Sequence, residues 1–108
     1  MHPANPEKYR TVRDATGWKN PFLIVQPNGV EVRTSGAAAN GPTIPVRNVV
    51  GYLEKLPESM WIYGLVAAVG ENGVIADEGA ASRTKHNRQE LIRRLKEAGI
   101  PTELWPSA

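Results

Sequence analysis

The regular pattern of the chain opens with two short apolar-rich runs around a Pro-Asn-Gly turn. Residues 22–26 are rich in aromatic and β-branched side chains, and residues 30–34 alternate apolar with polar positions, so both runs predict strands. Proline presets the first turn dihedral and glycine accepts a left-handed conformation, so we expect a three-residue loop that pairs Gln26 with Val30. This register predicts an antiparallel hairpin with Glu31 and Arg33 on one face and an apolar opposite face, made of Phe22, Ile24, Val30 and Val32.

A helical period follows in residues 46–56. Apolar side chains recur there at spacings of three and four residues, which places them on one side of a helix. Pro57 ends this helix by disfavouring helical geometry at the residue before it. Gly51 falls opposite the apolar stripe, which consists of Val46, Val49, Val50, Leu53 and Leu56.

A second helix is predicted near the C-terminus. Its apolar stripe is formed by Leu91, Ile92, Leu95 and Ala98. Asn87 and Glu90 have the spacing of a capping box at its start, although Ser82 or Thr84 would also serve as the cap. Gly99 occupies the place where a left-handed residue ends a helix, and Ile100 can then contact Leu95.

Residues 60–69 are apolar on both sides of a two-residue repeat. This pattern is typical of a central strand that is covered on both faces, or of a buried helix, and the preceding proline favours the strand. Residues 74–76 predict a further short strand and residues 77–82 a loop. Residues 102–105 predict a closing strand after the last helix.

The elements follow one another in the order β-β-α-β-(β)-α-β. This order predicts an α+β fold, a two-layer domain with a mixed sheet of four to five strands and two helices. We expect one domain over residues 21–108 and a flexible N-terminal arm over residues 1–20. Within that arm, Tyr9, Val12 and Trp18 can dock on the chain's own core, which is the favoured alternative, or on a partner.

By topology alone, this order resembles that of ferredoxin-like domains and of the periplasmic portions of ExbD/TolR-type transport proteins. No motif of the chain accompanies the resemblance, and a shared order of elements implies no shared function.

Composition restricts the chemistry. The chain of 108 residues contains no cysteine, which excludes a disulfide scaffold and a thiolate metal site. Its start lacks the basic and apolar stretches of a signal peptide, and its longest apolar run is half of what a membrane helix of about 20 residues needs. We therefore expect a cytoplasmic protein without membrane contact. Phosphate-loop and metal-ligand patterns are absent from the sequence, so no cofactor and no metal are expected.

Two predicted loops carry the residues with the best chemistry for a ligand. Asp77, Glu78 and His86 lie between a strand and the last helix, and Ser35 and Asn40 lie in the small-residue loop before the first helix. A small-molecule site or small enzyme could use them only if the strands at 30–34 and 60–69 run parallel, because the loops then leave the sheet at one edge. We favour an exposed His86 without function, since Arg83, Lys85 and Arg88 surround it in the sequence, and we do not expect catalysis.

Nucleic acid is a less favoured partner. Residues 83–108 hold six basic and three acidic side chains, a net charge of +3, within a total of +2. On a helical wheel, however, the basic residues flank both sides of the apolar stripe and alternate with acids, which is typical of a solvated helix. Only the basic residues of the N-terminal arm would reinforce such binding.

Large aromatic residues suggest an interface. Two helices can cover one face of the sheet, whereas residues 60–69 are apolar on both faces, so the second face would need another cover. We therefore expect a non-catalytic binding or assembly module, most simply a homodimer. The predicted interface residues are Trp61, Tyr63, Leu65 and Trp105.

Overall fold

The computed structural model describes residues 2–12, 17–34, 40–71 and 77–105 of the chain. Within these ranges the chain forms five strands and two α-helices, which confirms the predicted α+β fold with a mixed sheet and two helices. The predicted strand at residues 74–76 lies outside the described residues. The elements in chain order are β1 (Phe22–Gln26), β2 (Gly29–Arg33), β3 (Thr43–Ile44), α1 (Val49–Glu54), β4 (Ala67–Glu71), α2 (Glu78–Glu97) and β5 (Thr102–Leu104).

The five strands form one sheet in the order β3-β2-β1-β4-β5. β1 pairs with β2, and β2 with β3, in antiparallel fashion. β1 pairs with β4, and β4 with β5, in parallel fashion. Parallel neighbours need a crossover connection, and the helices supply it: α1 lies between β3 and β4 in the chain, and α2 between β4 and β5. The outermost strands are β3 and β5.

The hairpin forms as predicted, but its register differs by one residue. Gln26 pairs with Gly29 and Val25 with Val30, so the loop contains two residues instead of three. Gly29 is thus the first residue of β2 and not part of the loop. It has a φ of +151°, and a Cβ at this position would come too close to the Ile44 carbonyl of β3. Because side chains alternate between faces, the one-residue shift moves Phe22 and Ile24 to the face of Glu31 and Arg33.

One face of the sheet packs against both helices. Its core contains apolar side chains from all three central strands, with Leu53 of α1 and Leu91 and Leu95 of α2 fully buried against them. The predicted stripe of the first helix is confirmed in Val49 and Leu53. The element itself is divided into a 3₁₀ turn, Val46–Asn48, followed by α1, and Gly51 is exposed as expected. No helix in the described part of the chain is long and apolar enough to span a membrane.

The opposite face is covered by the chain's own N-terminus. We call residues 2–12 and 17–20 the N-terminal segment. Trp18 is buried among Phe22, Ile24 and Tyr63, and Tyr9 and Val12 pack against the same cluster. The structure therefore confirms the favoured alternative for Tyr9, Val12 and Trp18, which is docking on the chain's own core. Because this cover comes from the same chain, the second face does not require a second copy.

The predicted strand over residues 60–69 is wrong in its first half. Glu58–Met60 form a 3₁₀ turn after Pro57, residues 61–66 turn without joining a strand, and β4 begins only at Ala67. Gly64 has a φ of +85°, which a strand residue does not adopt. The prediction failed because the apolar side chains of this stretch are divided between two cores, Trp61 on the helix side and Tyr63 and Val66 on the opposite side, and burial does not require strand geometry.

The side chain of Asn20 forms hydrogen bonds with the backbone of residues 63–66, as a neighbouring strand would do in a sheet. Its amide nitrogen donates to the carbonyls of Gly64 and Val66, both at 2.8 Å, and its oxygen accepts from the N–H of Tyr63 at 2.9 Å. Asn20 is fully buried. The backbone of the N-terminal segment adds two bonds, from Asn5 N–H to the Tyr63 carbonyl at 2.8 Å and from Leu65 N–H to the His2 carbonyl at 3.0 Å.

The last helix begins earlier than any of the predicted starts. Asp77 caps it, with its carboxylate accepting from the Ala80 N–H, so residues 78–82 are helical and not a loop. Asn87 lies inside the helix and is therefore not a cap. Its side-chain amide donates to the carbonyls of Gln26 at 2.9 Å and Pro27 at 3.2 Å in the hairpin turn. The predicted end is confirmed: Gly99 has a φ of +76°, and the Ile100 N–H donates to the Leu95 carbonyl at 2.9 Å.

We predict opposite effects for alanine at two glycines. Gly64→Ala forces a left-handed conformation, which costs about 1–2 kcal/mol, and its Cβ would overlap the Pro3 carbonyl. Gly51→Ala meets no atom within 4 Å in an exposed helical position and should stabilise the fold by about 0.5–1 kcal/mol. Urea denaturation measures both free energies. Equal effects of the two substitutions would contradict this account of residues 61–66.

We also predict that Asn20→Asp is severely destabilising. The carboxylate cannot donate to the Gly64 and Val66 carbonyls and places a buried charge beside them, so we expect a loss of about 3 kcal/mol or more. Asn5→Asp is the control. The Asn5 side chain only accepts a hydrogen bond, from the Glu7 N–H at the surface, and an aspartate side chain can accept the same bond. Thermal melting of both variants decides the matter, and an Asn20→Asp melting temperature near that of Asn5→Asp would overturn the assigned role.

Candidate functional site

The acidic and histidine residues predicted as ligand-binding are surface residues of α2. Asp77 uses its carboxylate to cap the helix, and Glu78 lies in the first turn, where a negative charge is favourable beside the helix N-terminus. Both side chains are exposed. His86 is exposed as well and has no hydrogen-bond or ion-pair partner among the described residues. The positions of Asp77 and Glu78 are therefore explained by their roles at the start of α2.

The second loop lies at the other end of the sheet. β2 is antiparallel to β1 and β4 is parallel to it, so β2 and β4 run in opposite directions. The condition for a shared site at one edge, parallel strands, is not met. Asn40 is exposed near the end of β2, whereas Asp77 follows the opposite edge, and Ser35 lies outside the described residues. The structure does not bring Asn40 together with Asp77, Glu78 and His86.

Glu31 and Arg33 form a polar cluster beside Asn40. The Arg33 guanidinium donates from Nε to the Glu31 carboxylate at 2.8 Å, and the Gly41 N–H donates to the same oxygen at 3.2 Å. The hydrogen bond from Arg33 is the main reason why the pKa of Glu31 lies below its ordinary value, and burial opposes this shift. The cluster joins the backbone at Gly41 to β2. Its Arg33 guanidinium also balances the charge of the Glu31 carboxylate, which lies on the same face of the sheet as Phe22 and Ile24.

The residues predicted as an interface divide into two pairs. Trp61 and Tyr63 are 5% and 4% exposed within the single chain, so little of either remains for a partner. Leu65 and Trp105 are half-buried. Trp18 is at the centre of the aromatic packing, with its ring centroid 4.9 Å from Tyr63 and 6.2 Å from Trp105, both in edge-to-face geometry.

Tyr9 connects the N-terminal segment to the last strand. The pKa of Tyr9 is raised by burial first and by the neighbouring Glu103 carboxylate second. Its ring lies 5.3 Å from Trp18. Tyr9 and Trp105, which follows β5, pack on the same cluster, so the segment lies against the end of β5 as well as against the centre of the sheet.

The outer edge of β5 has no strand partner among the described residues. On the inner side, the Ala67 N–H donates to the Pro101 carbonyl at 3.1 Å and the Trp105 N–H donates to the Val69 carbonyl at 2.8 Å. Backbone groups of alternate residues point to the same side of a strand, so those of Thr102 and Leu104 point away from β4. Leu104 is also a large apolar residue that is strongly exposed, at 52%.

Apolar clefts flank this edge on both faces of the sheet. On the helix side, a cleft of about 350 Å³ includes Ile92, Ile100 and Thr102. On the other side, a cleft of about 470 Å³ includes Tyr9, Trp18 and Trp105. Leu104 lies on the helix side, because it pairs with Val69, which pairs with Leu23 of the helix-facing core. An incoming strand would therefore find apolar surface above and below it.

A larger cleft lies elsewhere, between the N-terminal segment and residues 58–64. Its volume is about 670 Å³. His2 and Glu58 approach to 3.8 Å at its rim, and the Lys8 ammonium is 3.5 Å from the Ile62 carbonyl. These contacts join the two walls of the cleft, and they are exposed to solvent.

The basic residues of α2 are partly neutralised. Arg88 pairs with Glu71 at 3.2 Å, Arg93 with Glu97 at 3.0 Å, and Arg94 with Glu90 at 3.8 Å. A groove-binding helix would instead present unpaired cations on one face. No group of three acidic or histidine residues in the described ranges could hold a metal ion.

Sequence reasoning missed Leu104 as a candidate interface residue. The closing strand was predicted, but its position at the end of the sheet follows from the strand order, which the sequence pattern does not contain. The available signal was Leu104 itself, a large apolar residue in a short strand after the last helix. Comparison of the chain with protein-family models, with curated proteins and with solved structures finds no match.

We predict that the Glu31 carboxylate stabilises the fold at neutral pH only. Its folded-state pKa is lowered, so its contribution is complete above the ordinary value of 4.5 and is lost as the pH falls through the folded-state value. Glu31→Gln should therefore cost about 1–2 kcal/mol at pH 7 and much less near pH 3. Urea denaturation at the two pH values measures the difference.

Glu97→Gln provides the control, since its side chain is 64% exposed and its ion pair with Arg93 should contribute less than about 1 kcal/mol. A cost of Glu31→Gln that is equal at pH 7 and pH 3 would show that the charge of this carboxylate does not matter.

Proposed function

We propose that the protein is a non-catalytic binding and assembly module that forms a homodimer through the outer edge of β5. The observation that carries the proposal is a strand edge that has no strand partner in the described part of the chain and on which Leu104 is 52% exposed. Strand edges with free backbone groups are templates for pairing with another strand. The proposal keeps Trp105 from the predicted interface and moves the contact from the sheet face to the sheet edge, because Trp61 and Tyr63 are buried within the chain.

β5 is better suited to pairing than the other edge strand. β3 has only two residues and lies between Pro42 and Pro45, which cannot donate backbone hydrogen bonds. Pro101 precedes β5, but its position faces β4, where its carbonyl accepts from Ala67, so its missing N–H does not affect the outer edge. A short, twisted or proline-flanked edge is a common protection against association, and β3 has that protection.

The expected dimer is weak. β5 supplies three residues, and the clefts beside it add a limited apolar area, which is well below the roughly 1,600 Å² of a standard stable interface. Self-association in the micromolar range follows from this size. We further propose a cytoplasmic location, with which the cysteine-free composition is compatible.

Two alternatives remain proposals of lower rank. The cleft of about 670 Å³ is large enough for a small molecule and makes a ligand-binding function the second candidate. Nucleic-acid binding through α2 and the N-terminal arm is the third, and the ion pairs of α2 weigh against it. Salt-sensitive retention on a heparin column would favour this third function over the other two.

We predict that Leu104→Lys weakens self-association. A lysine on an edge strand adds a solvated charge where a second strand would pack, and two such charges would face each other in the dimer. The wild-type chain should approach twice its mass of 11.8 kDa at high micromolar concentration in sedimentation equilibrium, and the variant should dissociate at least about tenfold more readily.

Ile62→Lys is the matched control, because Ile62 is also a large apolar residue that is strongly exposed, at 49%, and it lies outside the sheet. Its sedimentation should equal that of the wild-type chain. A wild-type chain that stays monomeric up to millimolar concentration would overturn the proposed homodimer, and equal impairment of both variants would remove β5 from it.

A further inference from the structure

We propose that the cleft between Tyr9 and Trp105 binds a quaternary ammonium group, such as the trimethylammonium group of choline or of a methylated lysine side chain. We call this cleft, which Trp18 and Glu103 also line, the aromatic cleft. It is formed within a single chain, so ligand binding there is independent of the proposed homodimer. Three aromatic rings, one carboxylate and the size of the space between them support the assignment.

The rings of Tyr9 and Trp105 both contact Trp18 and are steeply inclined to it. Their centroids lie 5.3 Å and 6.2 Å from that of Trp18, at interplanar angles of 70° and 68°. Trp18 is 2% exposed and therefore lies at the base of the cleft, whereas Tyr9 and Trp105 are half-buried and retain ring surface for a ligand. The cleft thus has an aromatic base and two aromatic walls.

Glu103 places a negative charge on the same face of the sheet. It pairs with Ala68, which pairs with Phe22 of the aromatic cluster, and paired residues of neighbouring strands share a face. Trp105, two positions further along, packs on that cluster too. The carboxylate and the indole ring are therefore neighbours. The raised pKa of Tyr9, to which Glu103 contributes after burial, agrees with a carboxylate near the phenol.

The charge of the cleft is complementary to a cation. No basic side chain in the described ranges forms an ion pair with Glu103. Arg10 also lines the cleft, but its guanidinium pairs with Glu7 at 3.2 Å, which offsets its charge. The faces of aromatic rings carry the negative part of their quadrupole, and tryptophan attracts cations most strongly. A carboxylate without a cationic partner beside such faces favours a positively charged ligand.

The scarcity of hydrogen-bond acceptors favours a methylated ammonium over a primary one. A primary ammonium has three N–H donors, and each must exchange water for an acceptor when it is buried. Apart from the carboxylate, the walls are aromatic rings and apolar side chains such as Val12. A quaternary ammonium has no N–H to satisfy. The cleft volume of about 470 Å³ also leaves room for the arm that carries the group.

Titration of the wild-type chain with choline tests the proposal by NMR of its backbone amide and indole signals. The reference ligand is the neutral isostere of choline, in which carbon replaces nitrogen, and sodium chloride keeps the ionic strength constant. We expect choline to shift the indole signal of Trp105 and the amide signals of Tyr9 and Glu103. Its dissociation constant should be at least about tenfold lower than that of the isostere, because only the cation is attracted by the rings and the carboxylate.

Two pairs of variants separate the ring from the charge. Trp105→Leu keeps an apolar side chain without a ring and should weaken choline binding at least about fivefold, whereas Trp105→Phe keeps a ring and should weaken it less. Glu103→Gln should weaken binding about threefold or more through the lost charge. Glu97→Gln makes the same change of net charge at the end of α2, on the helix side of the sheet, and should leave binding unchanged.

A short Gly-Ser peptide with a trimethyllysine, compared with the unmethylated peptide, identifies the source of the group. Tighter binding of the methylated peptide than of choline would assign the cleft to a modified protein segment, and tighter binding of choline would assign it to a small solute. Equal binding of choline and its isostere would overturn the proposal, as would the absence of a saturable shift with all of these probes. Equal effects of Glu103→Gln and Glu97→Gln would overturn the role given to the carboxylate.

Discussion

The buried amide of Asn20 is the interaction on which the arrangement of the molecule depends. It precedes β1 and bonds three backbone groups of residues 63–66. A turn with unsatisfied polar groups could not be buried against a sheet, because each such group costs about 1–3 kcal/mol. Asn20 removes that cost, so residues 61–66 can be irregular and buried at once. The same contact fixes the N-terminal segment in its place over the sheet.

The cover on the second face has a consequence for assembly. Two helices protect one face, and Trp18, Tyr9 and their neighbours protect the other. A sheet with both faces covered by its own chain can associate at its edges without unfolding any part. One edge, β3, is short and lies between prolines, so β5 is the accessible one. Tyr9 contributes to the cover of the second face, because it packs in the aromatic cluster against Trp18.

Several polar side chains of the types that serve in catalysis or ligand binding have structural roles in this fold. Asp77 caps α2, Asn87 holds the hairpin turn, and Glu31 neutralises Arg33 beside the returning loop. Each of these side chains has a partner at hydrogen-bond distance. This explains why a search by residue type alone selected Asp77 and Glu78 as ligand-binding candidates: cap residues and catalytic acids are the same residue types, and only the partner distinguishes them.

Elements whose signals are local could be predicted from neighbouring residues. The hairpin, the buried Leu91 and Leu95 of the α2 stripe and the glycine end of that helix were predicted because turn chemistry, helical period and a left-handed glycine act within a few residues, whereas Ala98, also assigned to the stripe, is exposed after the end of α2. Tertiary structure alone decided the one-residue register, where Gly29 must fit beneath the Ile44 carbonyl of β3, and the turn at residues 61–66, where Asn20 supplies bonds from more than forty positions away. It also decided which strand became an edge. These features depend on contacts between distant parts of the chain, and a pattern of neighbouring residues does not contain them.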